Sequence, residues 1–214
     1  PLFLKQEKGL EIITKLEFPS SWGLGSSSTL LNNLASLFKI DPYTLLAKTF
    51  GGSGYDIAAA QNESPITYQL NEEERSTLIV RFDPEFREQL FFVHLNQKQD
   101  SRKAIEHYRS QSKEKLEEAV QKINSLTQSF INCTTLKEME LLIEIHETVI
   151  SQLLNIPPVK KDHFPDFPGA IKSLGGWGGD FIMATGNKDA REYFIKKGYN
   201  TVVPFDKMVK TAAP

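Results

Sequence analysis

Three features of the sequence predict an α+β fold. From residue 89 onward, strand-like and helix-like segments follow in the order β, helices, β, β, α, β, the ferredoxin-like arrangement with an enlarged first crossover. Apolar residues at helical spacing run through 116–130 and again through 139–153. Short runs rich in Ile, Val, Thr and Phe mark strands on both sides of those helices.

Taken in order, residues 10–18 (LEIITKLEF) read as a strand, and PSSWGLGSSS (19–28) holds too much Gly and Ser to continue it. From Leu30 the pattern is helical, with Leu30, Leu34, Leu37 and Phe38 on one face. That helix is expected to stop near Asp41-Pro42, since a residue before proline is pushed out of the helical region. A second short helix is predicted over 43–49, then a sharp turn at GGSG (51–54) leading into YDIAAA (55–60). Strands are predicted around 65–70, 77–82 and 90–96. The first long helix carries Leu116, Ala119, Val120, Ile123, Leu126 and Phe130 and breaks at Asn132-Cys133. Thr135 and Glu138 then form a capping box for a helix with Met139, Leu142, Ile143, His146, Ile150 and Leu153 on one side. Pro157-Pro158 ends it. The tail reads as strand 170–174, glycine loop 175–179, strand 180–185, helix 189–197 and strand 201–205. Gly198 stands where a left-handed residue closes a helix. A domain boundary is predicted near 83–89.

Composition narrows the function classes. Hydrophobic residues at 40% and charged residues at 24% are ordinary for a globular protein, and 214 residues can bury a sizeable core. A net charge of -2 leaves no basic footprint for nucleic acid, and no apolar run approaches a membrane span. The single Cys133 excludes an internal disulfide, which fits a cytoplasmic protein. Pro1 stands where an initiator Met would, and the next residues already read as strand, so the chain is expected to lack an N-terminal segment of its own first domain.

Three segments carry candidate chemistry. In PSSWGLGSSS, Gly23 and Gly25 let the backbone turn tightly and approach an anion, and the following helix offers unpaired N–H groups and the positive end of its dipole. The hydroxyls of Ser26, Ser27 and Ser28 can donate to phosphate oxygens or reach a magnesium ion. No Lys follows the last glycine, so this is not a Walker loop; the alternative is a flexible turn that caps a helix. In GGSGYDIAAA, Asp56 follows a tight bend and could orient or deprotonate an attacking hydroxyl, or be a turn aspartate bonding its own backbone. In IKSLGGWGGDFIMA, the four glycines Gly175, Gly176, Gly178 and Gly179 exceed what a hairpin needs and suggest close approach to a ligand. Lys172 and Asp180 could form a substrate-contacting surface there, or be a solvated lysine and a structural aspartate. The histidines show no metal spacing; His94 and His146 read as core or edge residues.

These segments together resemble the GHMP superfamily of small-molecule kinases, which includes galactokinase and the homoserine, mevalonate and phosphomevalonate kinases. Pro19 to Ser28 is similar to the signature P-x-x-x-G-L-G-S-S-A, with Ser28 in place of the usual Ala. GSGYD is similar to the S-G-x-D segment of mevalonate and phosphomevalonate kinases, and GGWGGD resembles the G-A-G-G-G-G signature, departing at Trp177 and Asp180. The combination is most similar to bacterial members carrying a GYDIA segment. The resemblance implies a partial ribosomal-S5-like N-terminal domain over 1–86 and a ferredoxin-like C-terminal domain over 87–214. It implies ATP and Mg²⁺ as cofactors, with Gly23, Leu24, Gly25, Ser26, Ser27 and Ser28 wrapping the phosphates and Ser27 helping to hold the metal. Gly175, Gly176, Gly178 and Gly179 would pack near the phosphates, and Asp56 would be the catalytic carboxylate. A magnesium-binding glutamate is expected upstream of that aspartate, yet the neighbourhood reads TLLAKTF, with no acid. The implied activity is ATP-dependent phosphorylation of a small metabolite such as mevalonate or phosphomevalonate. A diphosphomevalonate decarboxylase-like enzyme and a non-catalytic nucleotide-binding module are the alternatives.

Overall fold

The structure, a computed structural model, describes residues 10–71, 74–97, 101–177 and 179–210, and the side chains of 101–104 are outside that description. The chain divides into two compact units. Among the described residues, one holds 10–20 and Leu24–Arg81; the other holds Ser21–Gly23 and 82–210.

In the first unit, three helices gather around a small apolar centre. They are α1 (Ser26–Phe38), α2 (Pro42–Lys48) and α3 (Tyr55–Ala60). Leu31, Leu46 and Ile57 supply one buried residue each, and Tyr43 and Leu45 pack beside them. The first helix ends at Phe38, three residues before Asp41, and is closed by Lys39 in the left-handed region. Asp41 then caps α2, accepting from Thr44 N at 2.7 Å and Thr44 Oγ1 at 2.6 Å, which holds its carboxyl below the usual range. Strands β1 (Ile66–Asn71) and β2 (Glu74–Ile79) form an antiparallel hairpin, with Ile66 opposite Ile79. Tyr68 ties it to the glycine turn by donating to Ser53 O at 2.5 Å.

The strand expected over 10–18 does not form: residues 10–16 belong to no helix or strand, and Ile13 is 84% exposed. Strand propensity fits a pleated, half-buried surface, and no described strand runs beside this segment to supply one.

The second unit is built on a four-stranded antiparallel sheet of β3 (Leu90–His94), β4 (Ile171–Ser173), β5 (Phe181–Thr185) and β6 (Val202–Pro204). Its spatial order is β4-β5-β3-β6, which is the ferredoxin-like order. Between β3 and β4 run α4 (Ser101–Arg109), α5 (Lys113–Asn132), α6 (Leu136–Leu154) and a short α7 (Val159–His163). The chain closes with α8 (Lys188–Lys196) between β5 and β6, and a single turn α9 (Phe205–Met208).

Period-two alternation assigns the two sheet faces. Phe91 and Val93, with their partners Ala184 and Ile182, join Phe164, Phe167 and Phe194 in the main core. On the other face Phe92 stacks on Phe205, and Thr185 donates to Glu140 of α6 at 2.6 Å. The capping box at Thr135 holds, shifted by one residue on its return arm. Thr135 Oγ1 accepts from Glu138 N at 3.2 Å, and the Glu138 carboxylate accepts from Thr134 N at 3.1 Å. No helix among the described residues is long and apolar enough to cross a membrane.

Candidate phosphate loop and its carboxylates

Within the first unit, α1 opens on Gly25, which sits at φ +66° and has no side chain with which to cap the helix. Its carbonyl accepts from Thr29 N at 3.0 Å and Thr29 Oγ1 at 3.1 Å, which fixes the first turn from below. The N–H groups of that turn are left to an outside acceptor, and no acid precedes or enters it. Ser27 is exposed, with Ser26 and Ser28 half-buried on either side. A 13-residue helix ending this way offers an anion backbone donors, hydroxyls and a positive dipole end together.

Asp56 is the second residue of α3, just after Gly54 at φ +88°. The packing of α3 on α1 brings its half-buried carboxyl to the start of α1. A Cβ placed on Gly25 would lie 3.8 Å from Asp56 Cγ and Oδ1. Burial pushes this carboxyl above the usual range, opposed by a hydrogen bond from Tyr55. A carboxylate with raised proton affinity is a better base toward a hydroxyl than an ordinary surface aspartate.

In the second unit, Trp22, the last residue of a 3₁₀ turn over Ser20–Trp22, lies edge-on to Phe181 at 5.4 Å and 6.3 Å from the His94 ring. The next residue, Gly23, sits at φ +65° against Asp180. A Cβ here would fall 2.4–2.5 Å from Cγ, Oδ1 and Oδ2 of that aspartate, so the carboxylate occupies the space a side chain would need. Asp180 is itself left-handed at φ +50°, donates its N–H to Gln97 O at 3.0 Å, and accepts from Leu95 N at 2.7 Å. The 175–179 loop joins β4 to β5, with Gly175 at φ +61° and Trp177 at φ +55°. Gly175 also borders the carboxylate, 4.0 Å from Asp180 Oδ2 by the same measure. Gly176 is half-buried and Gly179 buried, whereas Gly178 lies outside the described residues.

Lys172 turns into the protein, 19% exposed, with Nζ 3.8 Å from Glu147 Oε1, 3.3 Å from His146 Nδ1 and 3.2 Å from its acceptor Ser173 O. Ser173 Oγ donates to the other oxygen of Glu147 at 2.8 Å. Burial holds the Lys172 amine below its ordinary value, against the pull of Glu147. This cluster anchors β4 to α6. Sequence reading also passed over Trp22 and His94 as neighbours of the loop. The signal available was the aromatic inside PSSWGLGSSS, which a loop made only to turn does not need.

Magnesium takes oxygen donors and binds through one or two carboxylates plus substrate phosphates. The hydroxyls of Ser26, Ser27 and Ser28 in the first unit are donors of that kind and fit an ion that arrives with phosphates. Among the described residues, no group of three or more His, Cys, Asp or Glu side chains could hold a metal.

No family model and no curated protein matches the chain. A solved structure does: a mevalonate kinase from L. major in complex with R-mevalonate, with a TM-score of 0.54 and 15% identity. The match covers 86% of this chain and 65% of the kinase, so the chain spans just under two thirds of that protein's length. At this identity the likeness shows a shared fold alone.

Proposed function

We propose that the chain is an ATP-dependent small-molecule kinase of the GHMP type, transferring a phosphoryl group to mevalonate or phosphomevalonate. The observation that carries this reading is the Asp56 carboxyl at the start of α1, beside a helix end that no side chain caps. Phosphoryl transfer asks a protein mainly for positioning and charge stabilisation. The first-turn N–H groups of α1 and the hydroxyls of Ser26, Ser27 and Ser28 hold the phosphates. Gly23, Leu24 and Gly25 bend the backbone so that it lies against them. Asp56 accepts a hydrogen bond from the acceptor hydroxyl, orients it, and takes its proton as the new bond to the γ-phosphorus forms and the bond to the bridging oxygen breaks, releasing ADP. Magnesium, when bound, neutralises developing charge on the phosphate oxygens, with Ser27 among its oxygen donors.

The test is ATP turnover by the full-length protein on a panel that includes mevalonate, phosphomevalonate and diphosphomevalonate. Phosphorylated product from either of the first two supports the proposal. Carbon dioxide release from the third, or nucleotide binding with no turnover on any acceptor, overturns it.

A further inference from the structure

We infer that Tyr68 is a positioning residue for Asp56, and that the β1–β2 hairpin is the element that aims this carboxylate. Both lie wholly within the first unit. The inference rests on the phosphoryl-transfer reading above and adds to it a residue that acts without touching substrate.

The turn that launches α3 packs little of its own. Gly51, Gly52 and Gly54 are left-handed at φ +67°, +102° and +88°, and a Cβ on either of the first two would meet nothing within 4 Å. Glycine gives up more conformational freedom on ordering than any other residue, so such a turn stays fixed only where neighbours grip it. One grip comes from α2, where Leu46 O accepts from Gly51 N at 2.8 Å. The hairpin supplies two more. Tyr68 stands opposite Thr77 and Leu70 opposite Arg75, so Tyr68 and Arg75 share one face of the ribbon. From that face Tyr68 donates to Ser53 O at 2.5 Å, and the Arg75 guanidinium lies 4.7 Å over the Tyr43 ring. That ring packs against Gly54, where a Cβ would fall 3.0 Å from two of its carbons. Ser53 and Gly54 lead directly into α3, whose second residue is Asp56. Buried Ile57 sets the depth of this helix, but a helix of six residues turns about its axis with its entry turn. The half-buried Asp56 carboxyl follows that rotation. Tyr68 thus governs the carboxylate from three residues before it, through the carbonyl of Ser53.

The experiment is a double-variant cycle on the full-length protein, read as the single-turnover rate per folded molecule with the acceptor it phosphorylates. Tyr68→Phe keeps the ring and deletes only the donor. It is expected to slow transfer by about tenfold and to leave calorimetric affinity for a non-hydrolysable ATP analogue within about twofold, since a shift of about 1 Å at a reacting group costs up to roughly a hundredfold. Added to Asp56→Asn it is expected to slow transfer no further, because the carboxylate it aims is gone. A merely structural Tyr68 would lower Tm and leave the rate per folded molecule intact. That result overturns the inference, as does a full tenfold loss in the Asp56→Asn background. If Tyr68→Phe folds poorly, Arg75→Met loosens the other grip with the hydroxyl in place and is judged by the same two results. A second readout needs no turnover: titration of the Asp56 carboxyl followed by carbon NMR. Burial raises its proton affinity in wild type, and Tyr68→Phe is expected to return it toward the ordinary aspartate value. An unmoved titration overturns the inference. Wild type that phosphorylates no acceptor removes the kinase reading instead, and the titration then decides alone whether Tyr68 sets the carboxyl.

Discussion

Gly23→Ala puts the close approach of Asp180 to the loop under direct test. Two costs add. Holding an L-residue at φ +65° costs about 1–2 kcal/mol. The new Cβ would also overlap a carboxylate 2.4–2.5 Å away, and forced overpacking costs typically about 1–3 kcal/mol. The expected loss is therefore about 2–5 kcal/mol. Gly25→Ala is the control. It shares the backbone strain at φ +66°, but its Cβ meets Asp56 at an ordinary 3.8 Å, so only about 1–2 kcal/mol is lost. The entropy that alanine removes from the unfolded chain is common to both and cancels in the comparison. For a chain of 214 residues each kcal/mol shifts Tm by roughly 2–4 °C, so the two variants should melt about 2–12 °C apart. Thermal melts followed by circular dichroism measure the separation. Adding Asp180→Gly to Gly23→Ala removes the overlap and should return about 1–3 kcal/mol as coupling energy. Equal melting of the two single variants, or an additive double variant, would refute the close approach.

Other outcomes follow from individual contacts. Asp56→Asn should lower turnover by about 10²–10⁴-fold while leaving ATP affinity within a few-fold, measured by single-turnover kinetics beside calorimetry. Because burial raises the Asp56 carboxyl above 3.8, wild-type stability should fall as pH rises from that value through the raised folded one. The Asn variant should lack this step in a urea-melt pH series. Thr185→Val deletes a buried hydroxyl that accepts from Ala170 N at 2.8 Å and donates to Glu140, and should cost about 2–3 kcal/mol in urea melts. Thr135→Ala removes the α6 cap and should cost about 1 kcal/mol by the same assay.

The C-terminal unit was largely legible in the sequence, because its elements carry their own periodicity. Met139, Leu142, Ile143, Ile150 and Leu153 recur at helical spacing and are all buried, and Gly198 is left-handed at φ +90°. LEIITKLEF failed for the complementary reason: its composition favours a strand, but a strand exists only through its neighbours. Six-residue α3 carried too few residues to show a period. The pairing of Asp56 with Gly25, and of Asp180 with Gly23, spans 31 and 157 positions, and no local pattern encodes such distances. Nearness in sequence says nothing of direction: the Lys172 side chain leaves its strand toward Glu147, and that of Asp180 bends back onto a loop glycine.

The chain holds two tryptophans, and each sits in one of the two glycine loops, Trp22 in the first and Trp177 in the second. All indole emission therefore originates from the segments assigned to phosphate contact. Trp22 rests near the His94 imidazole, and Trp177 packs against the cluster of Val149, Ile150 and Leu153. Unlabelled protein thus carries a fluorophore in each loop, and single-tryptophan variants would read one loop at a time. Titration of nucleotide, with metal present or withheld, becomes an optical measurement requiring no dye, no tag and no knowledge of the acceptor.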